Sequence, residues 1–269
     1  MNSEAYCRST IHPDRKGLAE LDPNNQSYAA FLPRRLSAEE LRDAMLSVSD
    51  QLNHDIGGIP CRPIINSEVA LQPRQVMGTF AAAWTPNPKP AQRNRRSIYV
   101  LKLRGLIDPS LEVFNAPSPD FSCERRDTST VTPQVFAMFN SHNTHSRAVA
   151  LADQVMRDSR DDPEAIRIVY ERLFGRAPME KEVEQCQSHW RHIESMLPDK
   201  VQPNQPPPLE VVREAVEENT GETFTFIETL HAAEDFEPDL QHSDVDRRTR
   251  AFADLCLVLL NSNEFVYVY

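Results

Sequence analysis

Glycine is scarce in this chain: 7 residues in 269, against 21 prolines. Nucleotide-binding loops use glycine to bring backbone amides against phosphate. Neither GxxxxGK[ST] nor GxGxxG occurs, so the usual phosphate cradles are excluded. Long apolar runs are lacking as well. The longest covers residues 255–260, six in all, far below the ~18 that span a bilayer. The opening Met1-Asn2-Ser3-Glu4-Ala5 lacks the basic-then-apolar form of a signal peptide. As it stands, the chain is expected to be soluble and cytoplasmic. Cys7, Cys61, Cys123, Cys186 and Cys256 are dispersed, with no CxxC and no CxxCH. That spacing argues against a disulfide framework, a zinc knuckle or covalent haem, and no cofactor or metal is expected in this chain.

The net charge of −11 is unevenly placed. Residues 1–150 hold 17 Lys and Arg against 15 Asp and Glu, whereas residues 151–269 hold 12 against 25. Within the second part, 198–246 alone carries 13 acids and 2 bases. Such a surface repels phosphate backbones, so neither nucleic acid nor an anionic membrane is an expected partner.

What is present is mostly helical punctuation. Residues 249–260 place Ala251, Phe252, Ala253 and the six-residue run on one segment, which predicts a core helix enclosed on most sides. Ser243 and Asp246 have the capping-box spacing before it. Phe265, Val266, Tyr267 and Val268 read as a short strand-forming tail of a docked terminus. Ser37 with Glu40 predicts a second cap, leading into a helix through Leu41, Met45, Val48 and Leu52 that ends by Gly57-Gly58. Six prolines between Pro60 and Pro90 exclude long helices there. Residues 97–104 suit a strand or a short helix, with the strand preferred.

Asp108-Pro109, Thr132-Pro133 and Asp162-Pro163 each set a capping residue before proline at the first helical position. They open helices at about 109–115 and 133–140, and from 163 to Gly175. Further helices are predicted at 144–156, 178–197 and 209–218, with Phe224 and Phe226 on a strand. Prolines 203, 206, 207 and 208 mark an extended linker. The expected fold is mainly α: an irregular helical domain with long proline-rich loops and a few short strands. Its parts are an N-terminal helix and irregular connection at 1–90 and a helical core at 91–269. Residues 198–246 are expected to form an acidic, proline-rich surface insertion.

Three constellations bear on function. Cys186, His189 and His192 have a spacing that invites a metal, but at ~100° per residue the third points well away from the first. Asn140-Ser141-His142-Asn143-Thr144-His145-Ser146 concentrates hydroxyls and imidazoles, yet Ser141 and Thr144 are also the residues expected to cap a helix. Arg95 and Arg96, with Arg93, and then Arg125 and Arg126 beside Ser129 and Thr130, form the densest basic chemistry. Guanidinium forks bind carboxylate or sulfate bidentately. The competing reading pairs them internally with carboxylates such as Asp108, Glu112, Asp120, Glu124 or Asp127.

The order of Arg95-Arg96-Ser97-Ile98-Tyr99, Phe114-Asn115-Ala116-Pro117, Cys123-Glu124-Arg125-Arg126, Ser129-Thr130, Pro133-Gln134 and Phe139-Asn140 resembles a planctomycete-specific domain. So does that of Ala253-Asp254-Leu255-Cys256 and Leu259-Leu260-Asn261-Ser262-Asn263-Glu264-Phe265. It is the domain of unknown function 1553, found in proteins named for planctomycete cytochrome c. Arg34-Arg35-Leu36 with Glu39 and Arg42-Asp43-Ala44 is similar to it too. The resemblance implies a C-terminal fragment of a longer protein whose full-length relatives are exported to the periplasm or envelope and often carry haem c. It implies no catalytic residues. The expected function is a non-catalytic interaction or scaffold module, with the other domains of a parent protein as partners. The alternatives are an enzyme or enzyme half acting on anionic polysaccharide through the arginine clamp, and a nonfunctional remnant.

Overall fold

A computed structural model of the chain describes all residues except 1, 2, 6, 77, 78 and 128, with backbone alone for 74–76, 79 and 232. The described residues form a helix-rich body with a few short strands. The helices are α1 (Arg15–Leu21), α2 (Ala38–Val48), α3 (Ser67–Leu71), α4 (Pro90–Arg93), α5 (Pro109–Glu112), α6 (Thr132–Asn140), α7 (His142–Asp158), α8 (Asp162–Phe174), α9 (Glu180–Met196), α10 (Arg247–Leu260) and α11 (Asn263–Val266). The strands are β1 (Arg34–Arg35), β2 (Arg74–Val76), β3 (Thr79–Ala81), β4 (Glu210–Val216), β5 (Thr223–Thr229) and β6 (Tyr267–Val268). They pair antiparallel as β1 with β6, β2 with β3 and β4 with β5.

The centre is α10, packed by α7, α8 and α9. Phe252, Cys256 and Leu260 are fully enclosed, as are Val149, Leu151 and Val155 of α7 and Ile166 and Val169 of α8. The Trp190 ring of α9 lies 4.6 Å from that of Phe252, and its Nε1 donates to Arg248 O at 3.0 Å, so its one polar atom is satisfied. Val258 breaks the expected enclosure. It is 42% exposed, on the same outward strip as the partly exposed Asp254, because neighbouring helices cover only three sides of α10.

Several local expectations shift by a residue or change type. Asp246 is the N-cap of α10, accepting from Thr249 N at 2.7 Å, so the Ser243 and Asp246 box does not form. Asp161, not Asp162, caps α8, and Val131, not Thr132, precedes α6; proline then sits one position deeper in each helix. Asp108 caps α5 as expected, but that helix stops at Glu112. Ser37 and Glu40 form their capping box. Their helix ends at Val48, well before Gly57-Gly58. Residues 97–104 are neither strand nor α-helix. Ser97–Tyr99 is a single 3-10 turn, and Val100 makes an isolated bridge to Cys61.

Residues 209–218, expected as a helix, instead supply β4, whose Val211, Arg213 and Ala215 share the inward face; Arg213 and Ala215 pair with Phe226 and Phe224 of β5, whose rings pack on Phe80. Glu210–Val216 has no period-two alternation of apolar residues, because Arg213 lies on the buried face while Val212 and Val216 face outward. At the C-terminus, α11 uses Phe265 and Val266 as a helical turn, leaving Tyr267–Val268 to pair with Arg34–Arg35; Leu36 N also donates to Val266 O at 2.8 Å. The last residues are thus docked on the segment that leads into α2.

Residues 199–206 have no regular structure and are exposed, while Asp239 in the same acidic stretch is buried. Limited digestion with proteinase K, which cleaves in both stretches, should therefore cut first within 199–206. First cuts in 236–242 would show that the anchor around Asp239 does not hold.

Candidate functional site

A cleft of about 620 Å³ lies between the helical body and the proline segment. One wall is α3 with Ile64, Ile65 and Trp84. Asn66 starts that helix by accepting from Glu68 N and Val69 N, and Trp84 is fixed by its backbone N donating to Ala70 O and its Nε1 to Pro63 O, both at 2.8 Å. The opposite wall is 203–208, where four prolines fix φ and keep the backbone extended. Asn204 N donates to Gln241 Oε1 at 2.8 Å, tying this wall to the floor.

The floor contains Phe236, Pro238 and Asp239. Asp239 is almost wholly buried and holds two guanidiniums, Arg93 Nη2 at 3.1 Å and Arg147 Nη2 at 2.8 Å. Arg93 also donates to the carbonyls of Asn87, Pro88 and Glu237 and lies 4.7 Å from the Phe236 ring centroid. One buried arginine thus binds the 87–88 turn and the 236–239 loop together. Burial of an ion pair is favourable only when the remaining donors also find partners, and those carbonyls supply them.

At one end the cleft meets a second hollow of about 330 Å³, and His142, Asn204 and Gln241 line both. His145 and His242 line the second, with ring centroids 5.8 Å apart. His145 Nε2 is 2.7 Å from Phe139 O, so it carries the hydrogen there and donates it to that carbonyl. Loss of hydration pushes the His142 and His242 imidazoles below their ordinary value; the Arg250 guanidinium adds to this at His242, and at His142 the Asp239 carboxylate opposes it while Arg147 and Arg93 add to it. His142 stays exposed at the mouth, where solvent screening weakens the effect, so the partly buried His242 carries it. A base whose folded pKa is depressed binds fewer protons folded than unfolded. Its stabilisation is present above the unfolded value near 6.5 and is lost as pH falls through the folded one. Thermal unfolding between pH 7.5 and 5 should show a falling midpoint below about pH 6.5, before carboxylates titrate. The slope should not exceed about 1.4 kcal/mol per pH unit, the limit for one proton, and should flatten in His242→Phe. An unchanged slope in that variant would remove His242 from the account.

This arrangement supplies an apolar trough with hydrogen-bonding groups at one end. No serine, threonine or cysteine among the described cleft residues hydrogen-bonds an imidazole. Among the described residues no three of His, Cys, Asp or Glu are grouped to hold a metal ion. Ser141 occupies the N-cap position of α7 without a side-chain cap bond, and Thr144 is buried inside the helix. Cys186 is buried against Tyr170, His189 Nε2 meets Asp254 at 2.8 Å, and His192 faces solvent.

Of the arginines singled out in the sequence, Arg93 anchors the cleft floor and the others lie away from it. Arg95 is buried over the Tyr99 ring and donates to the carbonyls of Asp55, Gly57 and Ile59. Gly57 and Gly58, at φ 79° and 82°, let that loop curl around it. Arg96 is exposed. Arg126 makes a bidentate pair with Glu39 at 2.6 and 3.1 Å, a partner from α2 and not one of the carboxylates considered above. Arg125 and Arg126 line an open hollow of about 570 Å³. Ser129 Oγ donates to Asn115, and Thr130 Oγ1 lies 3.0 Å from the Tyr267 hydroxyl. Sequence reasoning missed Asp239, Arg147 and His242. Asp239 stood among 13 acids of one segment, and the only local sign of burial was its place between Pro238 and Leu240.

The model of a family described as PSD1, a protein of unknown function (DUF1553), matches residues 1–190. The chain belongs to this family. The PSD1 match takes in α1 to α8, most of α9, one cleft wall, Arg93 and Arg147. The proline wall, Asp239 and α10 lie beyond it, as do the resemblances at 253–265. Neither the curated proteins nor the solved structures gave a match. No helix among the described residues is long and apolar enough to cross a membrane.

Proposed function

We propose that this PSD1 chain is a non-catalytic interaction module whose cleft holds an uncharged, apolar segment of polypeptide. The observation that carries this reading is the cleft itself: about 620 Å³, walled by aliphatic side chains and proline, with Asn204, Gln241 and His142 at one end. Backbone amides of an extended segment are matched by such end groups, and its side chains by the apolar walls. Trp84 is 7% exposed, so it offers no open ring on which a sugar would stack. Of the two carboxylates in the lining, Asp239 is committed to two arginines and Asp244 accepts from Gln241 N at 2.9 Å. In the setting proposed for it, the module serves other domains of a longer exported protein, with any haem carried elsewhere.

The test is selection of random dodecapeptides on the full chain, with Leu71→Glu as the counter-target. Apolar sequences should be enriched and should bind the variant at least tenfold more weakly, because a carboxylate then lies in an apolar trough. Equal binding to both proteins, or no enrichment, contradicts the reading.

A second reading rests on Arg125 and Arg126 around their open hollow. It assigns sulfated or uronic polysaccharide to that loop, with Ser129 and Thr130 beside it and the exposed Arg96 on a separate patch, Arg95 being buried. Binding should then weaken with salt, since exposed charges are screened over ~10 Å at 0.1 M, and should drop in Arg126→Ala. Salt-independent binding, or none, removes the clamp.

A further inference from the structure

Behind the cleft floor lies a separate cavity of about 60 Å³, which shares only Ile64 and Asp239 with the cleft lining. Three guanidiniums line it: Arg42 from α2, Arg93 from α4 and Arg147 from α7. All three side chains are largely or wholly buried. The carboxylates in contact with them are Asp43 on Arg42, and Asp239 shared between Arg93 and Arg147. Three cations therefore face two anions. Asp108, the next carboxylate near Arg42, makes no ion pair with it among the described residues and accepts from Ser110 N and Oγ.

The hydrogen-bond inventory agrees with the charge count. Arg147 Nη2 is held by Asp239, but Nη1 of the same guanidinium is buried with no acceptor among the described residues, and Arg93 Nε is in the same condition. Protein interiors rarely tolerate an unpaired cationic N–H, because neither its charge nor its hydrogen is compensated. Arg35, Arg95, Arg213 and Arg250 each leave one such N–H as well; Arg93 and Arg147 differ in lining, together with Arg42, a single cavity.

We propose that this cavity binds one small monovalent inorganic anion, chloride in ordinary buffers, with Arg147 Nη1 as its principal donor. A water would satisfy the N–H but leave the excess positive charge, whereas a halide satisfies both. The volume accommodates a few water-sized occupants and excludes a saccharide or a peptide carboxylate with its chain. Asn94 and Thr144 add side-chain donors to the lining. The site belongs to the helical body and is independent of what the cleft binds. Its occupant would lock α2, α4 and α7 around the floor.

The test has two arms on the full chain. Thermal unfolding is followed at constant ionic strength while gluconate, too large for the cavity, is exchanged for chloride or bromide. The midpoint should rise saturably with either halide, and the rise should vanish in Arg147→Met. Because that variant also frees Asp239 and is at risk of not folding, wild-type crystals grown in bromide provide the second arm. An anomalous peak in the cavity against Arg147 Nη1 is the expected result. Equal midpoints in gluconate and halide overturn the proposal, as does a cavity holding water alone in bromide, even if halides stabilise the protein through some other site.

Discussion

Asp239→Ala is expected to lower the free energy of unfolding by about 3 to 5 kcal/mol, measured by urea denaturation. The substitution removes the one carboxylate that touches both Arg93 and Arg147, whose side chains are 1% and 5% exposed. Two guanidiniums would then remain buried without a carboxylate partner, and the cost comes from that desolvated charge more than from the lost attraction. Asp199→Ala provides the contrast. Its pair with Arg247 is 3.0 Å long but its side chain is 85% exposed, and such pairs contribute only about 0 to 1 kcal/mol. Equal effects of the two substitutions would show that the Arg93, Asp239 and Arg147 cluster is not enclosed. The floor of the cleft would then lose its anchor.

The second large effect concerns α10. Phe252→Ala should cost about 3 to 5 kcal/mol, since the side chain is fully enclosed and packs on Trp190, leaving a cavity the helices cannot readily close. Val258→Ala, two turns on and 42% exposed, should stay within about 0.5 kcal/mol. Comparable costs at the two positions would mean that α10 is rotated from the orientation described.

The long helices were legible in the sequence because their signals are local. A cap, a proline in the first turn, a 3.6-residue apolar period and the left-handed Gly175 at φ 67° each act within a few residues of the element they define. The β4 and β5 hairpin was only half legible. Phe224 and Phe226 alternate clearly, but the partner strand carries Glu210 and Glu214 on its solvent face, and its pairing is fixed by Arg213 reaching Gln72 O and Glu228 from across the hairpin. Nothing local to 210–216 encodes that contact.

The candidate site was less legible still. The arginines stood out by density, yet density does not separate a surface clamp from an internal anchor. Arg93 and Arg95 serve as hubs for loop carbonyls because proline-rich connections leave many carbonyls without a helical or sheet partner. Arg147, alone in its helix turn, matters more for the cleft floor than either exposed arginine of the 125–126 pair. Asp239 lies 92 residues from Arg147 and 146 from Arg93. Pairing over such separations is set by the packing of α7 against the returning chain, not by any motif.

The measurement that tests the account most directly is a methyl NMR titration of the full chain with a peptide selected against the cleft. The account predicts shifts confined to Ile64, Ile65, Leu71 and Leu230, which line it, with Val212 and Ile227 on the outer face of the β4 and β5 hairpin unmoved. Shifts at Val212 and Ile227 with Ile64 and Leu71 silent would contradict it, placing the binding surface on the hairpin and leaving the cleft without a role.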